Sequence, residues 1–149
     1  MKEPSTTFVN NALDNVQSEK EAVNLIKGTI ENLPQMDFKK FWNNYFASHE
    51  GISLAEVVKK ADLNSKNYGY EIINGLKKGS RDKVIALCYA ANMSVDDLDY
   101  ALMYSNNSRL YVKNPRDAYI KYFFNNRIGE PIMNLNDFLE DNDCSPLDT

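Results

Sequence analysis

The sequence predicts an all-α protein, and three observations carry that prediction. Apolar residues recur at helical spacing along most of the chain, as in Ala22, Val23, Ile26, Ile30 and Leu33. Ser, Asp or Asn stands repeatedly just ahead of such a stretch, supplying the side-chain oxygen that satisfies the orphan N–H groups of a first turn. The stops are as plain as the starts: Pro34 ends one helical pattern and Gly75 another.

Taken in order, Thr6 to Val16 reads as a first helix, weakly marked. Ser18 and Glu21 form a capping box that opens a second helix, Ser18 to Leu33. Asp37 caps the next, with Met36 and Phe41 placed as a hydrophobic staple. Phe38, Phe41, Trp42, Tyr45 and Phe46 make this helix aromatic, and at that spacing the rings are expected in the core. After Gly51 a helix is expected from Ser53 to Ala61, broken at Asp62-Leu63-Asn64, followed by another from Ser65 to Asn74. Ser80 caps a helix with Val84, Leu87, Cys88 and Ala91 on one face. Ser94 opens the next, with Asp97 three residues on and Met93 stapling to Leu98.

Ser105 to Lys113 reads as extended or looped. Asn114-Pro115 is a strong start, because proline suits the first helical position. Asn134 is expected to open a last short helix, with Asp137 at its third position and Met133 stapling to Phe138. The expected core is Phe41, Phe46, Val57, Val58, Ile72, Val84, Leu87 and Leu98. An internal echo runs through the second half: Arg81-Asp82 leads to a helix and then Met93 to Leu98, and Arg116-Asp117 leads to a helix and then Met133 to Phe138. Either a helix pair is repeated, or the limited chemistry of caps recurs.

At 149 residues the chain is long enough to bury a core without staples. It contains no apolar run near the roughly 18 residues that span a bilayer, so no membrane partner is expected. Met1 to Asn11 has one lysine and no apolar core, and is not read as a secretory signal. Cys88 and Cys144 are too few for a disulfide framework, and with His49 as the single histidine no metal or other cofactor is expected. No nucleophile motif accompanies His49 and no phosphate loop of the GxxxxGK type is present, so the chain is expected not to be an enzyme. It is read as cytoplasmic.

Net charge is −4, unevenly spread. Residues 1–36 carry three Lys against five acids, 37–91 nine Lys/Arg against six acids, and 92–149 five against ten. The cations gather in the middle of the chain, the kind of asymmetry that points to a nucleic-acid partner.

Two short helices around a three-residue break, preceded by one helix and followed by two more, is the helix-turn-helix layout. From Ile52 to Leu98, about a third of the chain, the sequence resembles the phage-repressor-type (XRE or Cro-like) DNA-binding family. The matching pieces are Ile52-Ser53, Val57-Val58, Leu63-Asn64-Ser65 in the turn, and Ile72 and Gly75. The run Ser80 to Leu87 and the stretch Met93 to Leu98 complete them. Leu54 stands where the family commonly has glutamine, Asp62 where it has a turn glycine, and Gly69 and Glu71 lie inside the third helix.

The resemblance implies a repressor-like five-helix domain over 37–104, with an N-terminal helical extension over 1–36 and a C-terminal helix pair over 105–140. Residues 141–149 are expected as an acidic flexible tail, being rich in Asp and poor in apolar surface. The family's third helix lies in the major groove. By that resemblance Ser65, Lys66, Asn67, Tyr70 and Asn74 would face base edges, and Lys77, Lys78 and Arg81 would hold phosphates of double-stranded DNA. A homodimer on an approximate palindrome is the implied assembly. The alternative is a protein-interaction module that keeps this fold with weak or no DNA binding.

Overall fold

The structure is a computed structural model that describes residues 37–149, which form a unit of their own. The expected helices Thr6 to Val16 and Ser18 to Leu33 lie outside the described residues. Within them the chain is helical, with no strand: α1 Phe38–Ser48, α2 Leu54–Ala61, α3 Lys66–Ile73, α4 Arg81–Ala90, α5 Val95–Tyr104, α6 Pro115–Asn126 and α7 Ile132–Asp141.

Six of these helices begin on the residue the sequence marks. Asp37, Ser53, Ser65, Ser80, Ser94 and Asn114 each accept a first-turn backbone N–H, as in Lys40 N–H to Asp37 Oδ1 at 2.7 Å. The seventh departs from expectation. α7 starts at Ile132 rather than at Asn134, on Pro131, whose fixed φ of −54° preorganises the entry without a side-chain cap bond. Asn134 lies inside the helix and donates Nδ2–H to Glu130 Oε1 at 3.1 Å. Met133, expected to staple to Phe138, is 67% exposed. Phe138 packs instead against the rings of Tyr119, Tyr122 and Phe123.

α4 organises the core. Every residue from Val84 to Ala90 is buried, because α4 is packed against α2, α5 and α7 and has little face left for water. α1 closes one end against α3 and α5, with Trp42 fully buried among Phe38, Phe41, Tyr45 and Phe46. Tyr45 donates its O–H to Ala91 O at 2.7 Å, and His49 stacks on it with ring centroids 4.0 Å apart. The expected core residues are buried apart from Phe46, which is half-buried. Residues 105–114 form an irregular connection to α6.

The 141–149 segment is not a loose tail. Leu147 is only 5% exposed, worth about 2 kcal/mol of transfer for a leucine, and its N–H donates to Asn136 Oδ1 at 2.9 Å. Arg116 donates to the carbonyls of Ser145 and Pro146 at 2.9 and 3.1 Å. One leucine and one arginine order a segment whose overall composition reads as solvated.

Candidate nucleic-acid interface

α2 and α3 meet through a turn whose geometry depends on two residues. Asp62 ends α2 at φ 53°, ψ 44°, the left-handed region that few residues other than glycine tolerate. Aspartate is one of them, so Asp62 can end α2 in this conformation without a glycine. Leu63 turns inward and is buried. Gly69, in the middle of α3, faces α2: a Cβ there would stand 3.1 Å from Val58 Cγ1 and 3.4 Å from Leu63 Cδ1. The missing side chain lets the two helices close on each other, which accounts for a glycine that otherwise costs a helix about 1 kcal/mol.

On the outer side of α3, Lys66 and Asn67 occupy the first turn, both exposed, with no side-chain hydrogen bond among the described residues. Ser65 Oγ accepts the Tyr68 N–H at 3.4 Å, which leaves its own O–H available to donate. Tyr70 lies a turn further on, half-buried. Lys77 and Lys78 follow in an exposed loop, and Tyr68 fastens that loop to α3 by donating its O–H to Lys78 O at 3.1 Å.

Two expected contacts fall elsewhere. Asn74 is the C-cap of α3 and donates Nδ2–H to Tyr70 O at 2.9 Å, so its amide completes its own helix rather than reaching outward. Arg81 is committed to the fold. Its guanidinium makes two bonds to Asp117 at 2.9 and 2.8 Å, and reaches the carbonyls of Ser108 and Arg109 at 2.9 and 3.2 Å. A guanidinium with those four acceptors has little left for a phosphate.

Lys83, not among the residues expected from the sequence, is a further cation beside α3. Its Nζ stands 5.4 Å from the centroid of the Tyr68 ring, which brings a cation from α4 alongside α3. The available signal was its position, one turn beyond Ser80 and five residues past Lys78. Asp82, the acid beside it, is neutralised by Arg116 at 3.0 and 2.9 Å. Exposed Lys66, Lys77 and Lys78 and half-buried Lys83 are the cations on and beside α3, and Asp62, Glu71 and Asp148 are acids on or near it.

No protein-family model, curated protein or solved structure matches the chain.

Away from this region, a groove of about 400 Å³ runs between the ends of α2 and α4 and the start of α7, lined by Lys59, Lys60, Tyr89, Glu130, Ile132 and Met133 among others. Burial, and then Glu130, push the Tyr89 phenol up to about 12 against the opposing pull of Arg127. The Tyr89 O–H donates to Arg127 O at 3.0 Å. The Arg127 hydrogen bonds, followed by that of Asn134, hold the Glu130 carboxyl below its ordinary value. Among the described residues no three His, Cys, Asp or Glu side chains gather into a metal-ligating group, and no helix is long and apolar enough to cross a membrane.

Proposed function

We propose that this chain is a sequence-specific DNA-binding regulator of transcription that reads the major groove with α3. One observation carries the reading: α2 and α3 are eight-residue helices joined through left-handed Asp62 and closed on each other at Gly69, and α3 opens with two exposed, unengaged polar residues, Lys66 and Asn67. In the major groove Lys66 donates to guanine O6 and N7, and Asn67 pairs with adenine N6 and N7. Lys77, Lys78 and Lys83 neutralise phosphates, and the Ser65 O–H donates to another.

A two-fold reader needs a dimer surface, since half-sites lie about one helical turn apart. Tyr100 and Met103 are exposed on one face of α5, and Tyr111 and Val112 are exposed in the following loop. Leu110 N–H donates to Asp99 Oδ1 at 3.2 Å, which holds the start of that loop beside α5. The same apolar surface favours the second reading, a protein-partner module.

Fluorescence anisotropy of labelled random-sequence duplex across a salt series separates the two. The DNA reading expects log K to fall against log salt with a slope of about −3 per bound chain, from the phosphate-facing Lys77, Lys78 and Lys83. No duplex binding at low salt would transfer the function to the apolar surface.

A further inference from the structure

We propose that residues 144–149 are a self-covering strap, which must lift from the N-terminal end of α3 before DNA can dock. This rests on the DNA-binding reading and adds its regulation.

The strap is anchored at four places. Leu147 is buried, with its N–H on Asn136 at the α7 side. Arg116, at the start of α6, holds the Ser145 and Pro146 carbonyls. Asp148 N–H donates to Asp82 Oδ2 at 2.9 Å, in the first turn of α4. Asn64 N–H donates to the backbone oxygen of Thr149 at 3.0 Å. Asn64 directly precedes the Ser65 cap of α3.

The last two anchors set the consequence. In the proposed docking the first turn of α3 meets base edges, and Lys83 in the first turn of α4 holds a phosphate. A peptide segment within hydrogen-bond distance of Asn64 and Asp82 occupies the space a phosphate backbone would enter. The Thr149 oxygen already accepts a backbone N–H at the end of α3, where phosphate would otherwise find donors. Asp148 also brings an acidic residue to the basic region. Arg116 acts as the latch, because one guanidinium holds both Asp82 and two strap carbonyls.

The mechanism differs from diffuse repulsion by an acidic tail. A covering strap lowers apparent affinity by the fraction of chains that are open, whatever the salt, whereas charge repulsion fades as salt rises. The test uses the full chain with Leu147→Ser, which removes the anchor, and Asn136→Ala as a milder variant should the first not fold. Amide hydrogen exchange at Asn64 reports lifting directly, and duplex anisotropy at low and high salt reports its effect.

Faster Asn64 exchange together with about five- to tenfold tighter duplex binding, retained at high salt, is the expected result. Faster exchange with unchanged affinity overturns the strap and leaves the DNA reading standing. A gain that vanishes at high salt also overturns it, in favour of charge repulsion. Absence of duplex binding in wild type and variants alike overturns the DNA reading, and the strap's role with it.

Discussion

Arg81 grips Asp117 with two parallel hydrogen bonds of 2.9 and 2.8 Å, and Arg116 grips Asp82 in the same way at 3.0 and 2.9 Å. The partners are exchanged: each arginine pairs with the aspartate that follows the other. The first turns of α4 and α6 are thereby tied together, and each aspartate also sits where a helix N-terminus favours an acid. Planar guanidinium against carboxylate is the geometry that makes such pairs worth more than a point charge.

The two pairs should differ in strength. Asp117 is 6% exposed and also accepts the Tyr111 N–H at 2.9 Å, so Arg81→Ala leaves a buried carboxylate short of its counterion. That should cost about 3 kcal/mol. Arg116→Ala strips a more accessible pair and should cost about 1–2 kcal/mol. Urea denaturation of both variants checks the order; equal losses would refute the ranking, and no loss in Arg81→Ala would refute the assignment of Arg81 to the fold.

The arginine–aspartate echo was visible in the sequence, but its meaning was not. Identical dipeptides announce a repeat without saying whether each pairs within itself or across, and only packing of α4 near α6 decides. Caps were legible because they are local: Ser65 and Ser80 need nothing beyond three residues downstream. The bond from Asn74 to Tyr70 O was not legible, because a C-cap amide and an outward-reading amide look the same in one dimension. Lys83 and the strap were hidden for the opposite reason. Lys83 joins the interface only through Tyr68 on another helix, and the strap is held by Asn136 on α7 and by Arg116, Asp82 and Asn64, which lie far from it in sequence.

Alkaline pH should weaken the fold through two tyrosines. Burial, then Asp97 and Cys88, push the Tyr45 phenol up to about 12, and Tyr89 is likewise held at about 12. In the unfolded chain both ionise near about 10. Their contribution is therefore complete below about pH 10 and is lost as pH rises through the folded value. Tyr45→Phe should cost about 1 kcal/mol at neutral pH, from the lost bond to Ala91 O, and should flatten the alkaline limb. Stability measured from pH 8 to 12 tests this, and an unchanged slope in the variant would contradict it. Glu130 acts with the opposite sign: its lowered value supports the fold above about pH 4, an effect lost as pH falls.

The glycines offer a ranking. At Gly79 an added Cβ would stand 2.9 Å from Ile72 Cγ2 and 3.2 Å from Val84 Cγ2. Both neighbours are fully buried and β-branched, with little freedom to move. At Gly69 the closest atom is 3.1 Å away, and alanine gains about 1 kcal/mol of helix propensity. Gly79→Ala should therefore destabilise by about 2 kcal/mol and Gly69→Ala by about 1 kcal/mol or less. Thermal melts rank them, and a Gly69→Ala variant about 1 kcal/mol more stable than wild type would show that α2 and α3 are not closed at Gly69 as described.

The final expectation separates cations that reach outward from one that does not. Lys66, Lys77 and Lys78 are exposed, while the Arg81 guanidinium is spent on Asp117 and two carbonyls. If duplex DNA binds along α3, Lys66→Ala should weaken binding at guanine-bearing sites, and Lys77→Ala and Lys78→Ala should each reduce the salt slope by about one with the melting temperature nearly unchanged, because an exposed lysine supports little of the fold. Lys83→Ala should do the same with a small stability loss, since its cation also rests against Tyr68. Arg81→Ala should behave in the opposite way, losing stability while the folded fraction keeps the wild-type slope. The two measurements must be made on the same samples at a temperature well below each melt, so that unfolding does not pass for lost contact. A slope that drops by one in Arg81→Ala, with wild-type stability, would return Arg81 to the DNA face and remove it from the crossed pair.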